Sequence, residues 1–217
     1  MTSASPGSDP WPLLRKRPFA SARSNLRLVV HGRSGGSIPA CLWDLASELK
    51  NCREAPVQLE SLTAECPPEP VGGHTWLIPL LLLPGAHVCD DLPAIRSRLR
   101  SQGLLVQQLP FLGAWSRWWS LVIDDLQESS LVPVHHPLRP GRADRFLESL
   151  RYRLGRPLIS FDAWTEHQRL HPHSRPYPLT LAPNRMVESL GEAQNMPTLL
   201  ERPRLRQGLI ELLVELP

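Results

Sequence analysis

Residues 26–30 form a short aliphatic run, Leu26, Leu28, Val29 and Val30, that stops at His31-Gly32. A glycine- and serine-rich stretch over 33–37 separates it from a segment in which Ile38, Cys41, Leu42, Leu45, Ala46 and Leu49 recur at helical spacing. Such a stripe packs one helix face on a sheet, so the unit reads strand, loop, helix. Residues 57–62 read as a second strand, and 76–83 as a third that is apolar on both faces, as a central parallel strand should be. After Pro84-Gly85-Ala86-His87, the acidic pair Asp90-Asp91 and Pro93 lead into Ile95, Leu99, Leu104 and Leu105, which predicts a helix running to Gly103. Between the second and third strands, Pro67-Pro68-Glu69-Pro70-Val71-Gly72-Gly73 holds too many breakers for a helix. One sheet face is therefore less covered, or covered by the N-terminal tail. The alternation of strand and helix predicts an α/β fold.

The second half repeats this pattern in the same order. Val132-Pro133-Val134-His135-His136 takes the place of the strand ending at His31, and Ala143, Phe146, Leu147, Leu150 and Leu154 repeat the apolar face of the first helix. Tyr177-Pro178-Leu179-Thr180-Leu181-Ala182-Pro183 mirrors residues 78–84, with Met186 standing where His87 would be. Met196-Pro197-Thr198-Leu199 and the periodic tail Leu205, Leu209, Ile210 and Leu213 echo Leu109-Pro110-Phe111-Leu112 and the helix expected after it. Short matches also arise by chance; their conserved order along the chain argues for a repeat. The predicted organisation is a flexible N-terminal tail over 1–24, an N-terminal lobe over 25–127 and a degenerate C-terminal lobe over 128–217.

Composition narrows the class. The 217 residues are 41% apolar, enough for a buried core. Cys41, Cys52, Cys66 and Cys89 show no CxxC spacing, which suggests neither a zinc ribbon nor a disulfide framework and favours a reducing cytoplasm. Pro6, Gly7, Pro10, Pro12 and Pro18 with interspersed serines, and no apolar core, read as a mobile tail and not a signal peptide. The most apolar run falls far short of the roughly 20 residues of a membrane helix. The net charge is only +3, but Lys occurs only at Lys16 and Lys50, so the cations are nearly all Arg. Guanidinium suits bidentate carboxylate or phosphate recognition; the plainer reading is genome composition and a solvated surface. No helix-turn-helix or basic-aromatic motif points to nucleic acid.

The candidate chemistry lies in two loops. His31 follows the first strand and His87 the third, and in open parallel sheets ligands collect beyond the carboxyl ends of the strands. Each stands near a glycine, Gly32 or Gly85, where the backbone turns tightly and leaves the imidazole uncovered. A lone loop histidine is ordinarily bland, and the matched placement makes the pair a candidate metal site. Trp115, Trp118 and Trp119 either floor a macrocycle pocket or, the commoner case, pack a helix on the core. His171-Pro172-His173 has the look of a small metal clip in an exposed loop, where two histidines alone hold metal weakly. Cys89, near His87, reads as a buried, inert thiol or a soft ligand.

Leu28-Val29-Val30-His31-Gly32 and the long stretch Ile78-Pro79-Leu80-Leu81-Leu82-Leu83-Pro84-Gly85-Ala86-His87-Val88-Cys89-Asp90-Asp91-Leu92-Pro93 resemble the class II tetrapyrrole metal chelatases, in particular the sirohydrochlorin cobalt and iron chelatases. In that family the first strand ends in His-Gly-Ser, and the third in a Pro-Leu-Phe-Leu-x-x-Gly-x-His pattern followed by Asp-Ile/Leu-Pro. Leu109-Pro110-Phe111-Leu112-Gly113 is a further family-like signature, and the match spans about residues 26–126. The resemblance implies two similar Rossmann-like, parallel-sheet lobes facing a cleft, the second degenerate. It implies His87 as principal metal ligand and proton acceptor, and His31 sharing the ion. The partners it implies are a sirohydrochlorin-type polycarboxylate tetrapyrrole and a divalent ion, Co²⁺, Fe²⁺ or Ni²⁺, as substrates, with no organic cofactor. Arg33, Gly85 and Arg139, and less directly Arg142, are the expected substrate contacts, and a fused two-lobe chain is expected to be a monomer. His135 or His136 would lie opposite the first-lobe site, assisting metal binding or merely lining the wall.

The chain departs from the family pattern at two places. Arg33 stands where serine follows His-Gly, adding charge beside the site. Thr63 stands where the second strand carries a glutamate, with Glu60 and Glu65 as imperfect substitutes. Three readings stay open: an active chelatase, a non-catalytic tetrapyrrole- or metal-binding protein on the same fold, and a scaffold that has lost its ligand.

Overall fold

The computed structural model describes residues 9–14, 24–139, 141, 143–190 and 196–216. Strands β1 (Asn25–Val30), β2 (Val57–Ser61), β3 (His74–Pro79) and β4 (Leu105–Gln108) form a parallel sheet of order β2-β1-β3-β4. Helix α2 (Ala40–Cys52) connects β1 to β2, and α3 (Leu92–Ser101) connects β3 to β4. A second parallel sheet of order β6-β5-β7 follows, from β5 (Leu131–His135), β6 (Ile159–Ser160) and β7 (Arg175–Pro178), with α5 (Asp144–Leu154), α6 (Trp164–Leu170) and α7 (Arg185–Ser189) after the strands in turn. The α/β class and the two parallel sheets are as the strand-helix alternation predicts.

The hydrogen bonds that close each sheet make the internal repeat explicit. Leu80 N donates to Val29 O and Leu179 N to Val134 O, both at 2.8 Å. Gly113 N donates to Leu81 O, and Leu199 N to Thr180 O, in the corresponding places. Val134 is therefore the counterpart of Val29, and two residues on, His136 is the counterpart of His31.

The halves exchange helices. α4 (Ser116–Asp125) is met at its start by Arg153 of α5, which donates to Ser116 O, while α8 (Pro203–Val214) returns to pack on α2 and α4. The crossing with α4 is close: a Cβ at Gly208 would lie 2.6 Å from Leu121 Cδ1. Arg53, just beyond α2, donates to Leu216 O at 2.6 Å and to Leu213 and Val214 O, taking up carbonyls that the end of α8 leaves free. One apolar core consequently runs from β1 through α4 to Tyr177 and α8, with a small satellite of Val132, Val134, Trp164 and Met186 in the second lobe. Trp115, Trp118 and Trp119 are fully buried, each removing roughly 150–250 Å² from water. They belong to the core and not to a macrocycle floor.

Two expectations about coverage change. Within the segment expected to be a tail, α1 (Trp11–Leu14) is docked: Leu14 is buried, Trp11 meets Trp115 edge-on at 5.3 Å, and Asp9 accepts from Ser116 N at 2.7 Å. Residues 1–8 and 15–23 lie outside the described residues. The open sheet face is covered by the Pro-rich segment 67–73 itself. Asn25 Nδ2 donates to Gly72 O at 2.9 Å, and Arg27 Nη2 to Pro68 O at 2.9 Å. Arg27 is 1% exposed in a central strand, where a bare charge would be prohibitive. Glu60, equally buried, accepts from Arg27 Nε at 2.5 Å and from Arg98 at 2.6 Å, and Gln58 Oε1 takes a further Arg27 proton. Glu60 is thus committed to this network and does not replace the family glutamate; Glu65 is exposed.

Candidate metal centre

β1 and β3 are adjacent and parallel, so the residues just past their ends come together. His31 follows β1, and its imidazole meets that of His87 edge-on, with ring centroids 4.7 Å apart and planes at 82°. The two histidines expected to converge do so. Each ring is held by Nδ1: in His31 it bonds Gly32 O at 2.9 Å, and in His87 it bonds Asp91 Oδ2 at 2.5 Å. A neutral imidazole that donates from Nδ1 presents its lone pair at Nε2. Both rings are thereby set in the tautomer that ligates through Nε2, in the carboxylate-histidine and carbonyl-histidine arrangements usual behind metal ligands.

The loop carrying His31 is moulded onto the end of β2. Gly32 has φ +62°, and a Cβ there would lie 1.9 Å from Ser61 Oγ and 2.7 Å from Thr63 Oγ1, so both backbone and space require glycine. Thr63 Oγ1 donates to Arg33 O at 2.7 Å and lies 2.9 Å from Ser61 Oγ. The threonine in the family's glutamate position therefore braces the His31 turn and offers no carboxylate.

His87 is positioned differently from expectation. The helix does not begin at Asp90: His87–Asp91 already form a π-helical turn that runs straight into α3, with Leu92 N donating to His87 O. Wide turns of this kind recur at functional sites. Here it brings Asp91, four residues on, under the His87 ring. Asp91 is the residue that sequence reasoning missed as a site member; its i, i+4 spacing from His87 was the signal. Cys89, expected to be buried, is exposed on the same turn. Among the described residues, no three His, Cys, Asp or Glu side chains converge as a metal cage. The candidate centre consists of the two imidazoles alone.

The opposite lobe closes in through paired loops. Arg33 Nη2 lies 3.4 Å from Pro183 O and 3.3 Å from Glu188 Oε1, an exposed pair of little intrinsic strength. In the equivalent contact from the other side, Leu138 sits against Gly85, 3.8 Å from where a Cβ would be. A second-lobe side chain thus lies beside the His87 loop. A cavity of about 360 Å³ opens between Arg33, Ser37 and Cys41 of the first lobe and Pro183 and Glu201 of the second. Burial, ahead of Glu201 and Asp44, pushes the Cys41 thiol at its edge up from its ordinary pKa, so this thiol is not activated. Arg139 is exposed beyond β5, and Arg142 lies outside the described residues.

The two second-lobe histidines separate cleanly. His135 is 6% exposed and turned into its lobe, and burial pushes its pKa below the usual imidazole range. His136, the exposed counterpart of His31, also engages Nδ1 with the following carbonyl, Pro137 O, at 3.1 Å. Met186, in the place of His87, is buried in the satellite core, so no second imidazole joins His136.

No family model matches the chain. No curated protein matches it either. Solved structures do match in fold. The sirohydrochlorin chelatase SirB from Bacillus subtilis subspecies spizizenii in complex with cobalt is 17% identical with a TM-score of 0.57, over 87% of this chain and 93% of that one. SirB from Bacillus subtilis with Fe³⁺ is 16% identical with a TM-score of 0.62, over 89% and 95%. CbiX, the terminal enzyme for biosynthesis of siroheme in denitrifying bacteria, is 18% identical with a TM-score of 0.61, over 90% and 100%. At these identities the likeness is one of fold, and the chain has the SirB- and CbiX-like class II chelatase fold.

Proposed function

We propose that this protein is a sirohydrochlorin metal chelatase that inserts Co²⁺ or Fe²⁺ into a carboxylated tetrapyrrole for cobalamin or siroheme synthesis. The observation that carries the reading is the His31–His87 pair, 4.7 Å apart at the carboxyl ends of adjacent parallel strands, each ring held through Nδ1.

Insertion requires that the macrocycle lose two pyrrolic protons as it gains a divalent ion. His87 and His31 hold the ion through Nε2, and neutral imidazole exchanges borderline ions such as Co²⁺, Fe²⁺ and Ni²⁺. As the ion passes to the macrocycle, the freed Nε2 of His87, and of His31, can each take up a pyrrolic proton. Asp91 stabilises the positive charge that His87 acquires when it does so, then allows the proton to pass to solvent, since both side chains are partly exposed. Arg33 and Arg139 are the proposed anchors for substrate carboxylates, and Gly85 the proposed point of close approach. The exposed Arg33–Glu188 pair is weak enough for a carboxylate ligand to displace.

No resident organic cofactor is part of this proposal, and two lobes in one chain serve as a monomer. All four cysteines are free, in keeping with a cytoplasmic setting, and among the described residues no helix is long and apolar enough to cross a membrane. A second reading, a non-catalytic tetrapyrrole- or metal-binding protein, rests on Thr63 serving as a brace where a carboxylate ligand is expected.

An anaerobic absorbance assay with sirohydrochlorin and Co²⁺ or Fe²⁺ separates the two. Metal insertion above the protein-free rate that collapses in His87→Ala and falls in His31→Ala is the expected result. Macrocycle binding with insertion no faster than the control would overturn the catalytic reading in favour of the second.

A further inference from the structure

Away from the cleft, the second lobe carries another pair of facing imidazoles. His167 lies in the last turn of α6 and His171 follows four residues later, so both side chains leave the same side of the helix. His171 N donates to His167 O at 2.9 Å, which closes the last turn of the helix with the second histidine as its C-cap. Their ring centroids are 4.7 Å apart, the same separation as in the His31–His87 pair.

The pair is supported from beneath, with its outer member at the surface. His167 packs 5.5 Å from the ring of Trp164, itself buried in the satellite core, whereas His171 is exposed. His167 Nε2 is out of solvent and, among the described residues, has no hydrogen-bond partner. The chain turns at once: Ser174 N donates to His171 O at 2.9 Å, with Pro172 at the second turn position, and a third exposed imidazole, His173, sits in that turn. The neighbouring carboxylate does not compete, since Glu166 is committed to Arg169 by bonds of 2.8 and 2.6 Å.

We propose that His167 and His171 form a second divalent-cation site, selective for first-row ions that prefer imidazole, such as Ni²⁺, Cu²⁺ and Zn²⁺. Two histidines at i, i+4 on one helix face are a chelating pair for such ions, and imidazole nitrogen disfavours Mg²⁺ and Ca²⁺. The site shares no residue with the cleft and does not rest on the chelatase reading.

Ni²⁺ titration calorimetry on the full chain tests it. His31→Ala/His87→Ala removes the cleft site, and this variant is expected still to bind Ni²⁺. Adding His171→Ala, an exposed change that leaves the melting temperature intact, is expected to weaken that remaining binding about tenfold or more. Copper bound to the His31→Ala/His87→Ala chain is expected to show coupling to at least two nitrogens in its paramagnetic resonance spectrum. Absence of Ni²⁺ binding below about 1 mM in that chain, unchanged affinity on adding His171→Ala, or a single coupled nitrogen would each overturn the proposal.

Discussion

The Asp91 carboxylate, 2.5 Å from His87 Nδ1, is the most direct point at which to test how the cleft works. Asp91→Asn keeps the shape and one acceptor oxygen but removes the charge. A hydrogen bond to a charged partner is roughly twice as strong as a neutral one, and a neutral one contributes about 1 kcal/mol net, so the change removes about 1 kcal/mol of preference for the Nδ1-donating ring. That corresponds to about fivefold in metal affinity. Outer partners of metal-bound histidines usually contribute about 10- to 100-fold. The side chains of His87 and Asp91 are 40% and 49% exposed, so solvent competes with the bond, and the lower end, roughly five- to tenfold, is the expected loss. Co²⁺ affinity by titration calorimetry and anaerobic insertion rate should fall together, with the melting temperature unchanged. Asp91→Asn within twofold of the unaltered protein in both assays, while His87→Ala abolishes them, would refute the idea that this carboxylate sets the ring.

Other consequences are separable. Gly32→Ala places a methyl group against Ser61 and Thr63 at positive φ, and should destabilise the fold by about 1–3 kcal/mol in urea melts and weaken Co²⁺ binding by moving His31. Glu60→Ala leaves Arg27 buried without its carboxylate and should lower unfolding free energy by about 3–5 kcal/mol, read from the same melts; a loss under about 1 kcal/mol would show that the ion pair is dispensable. His135 has a folded pKa lowered by burial, so below its ordinary value of 6.5 the unfolded chain binds more protons than the folded one. The melting temperature should therefore fall as pH drops through and below 6.5, and His135→Gln should flatten that part of the profile.

The legible features were those with a local cause. The apolar stripe Leu42, Leu45, Ala46 and Leu49 is the buried face of α2, and the breakers in 67–73 do preclude a helix there. His31 and His87 were found because each ends a strand pattern. Asp91 was passed over because it read as a helix-entry charge; only a helical turn that begins at His87 itself places it beneath the ring. Arg27 sits within an apolar strand, and no periodicity marks it as one half of a buried pair with Glu60. Docking of Trp11–Leu14 on Trp115 likewise has no signature in a segment dominated by proline and serine.

By itself the sequence determined the α/β class, the repeated order of elements and the two candidate histidines, because propensity, periodicity and turn chemistry act over a few residues. The tertiary structure decided the rest. Parallel pairing of β1 with β3 brings His31 to His87, the end of β2 shapes the His31 turn, and the exchange of helices sets Arg33 against Pro183 and Leu138 against Gly85. These contacts join segments far apart along the chain. They depend on register, side-chain direction and the burial of charge, which are properties of the packed chain and not of any stretch of it.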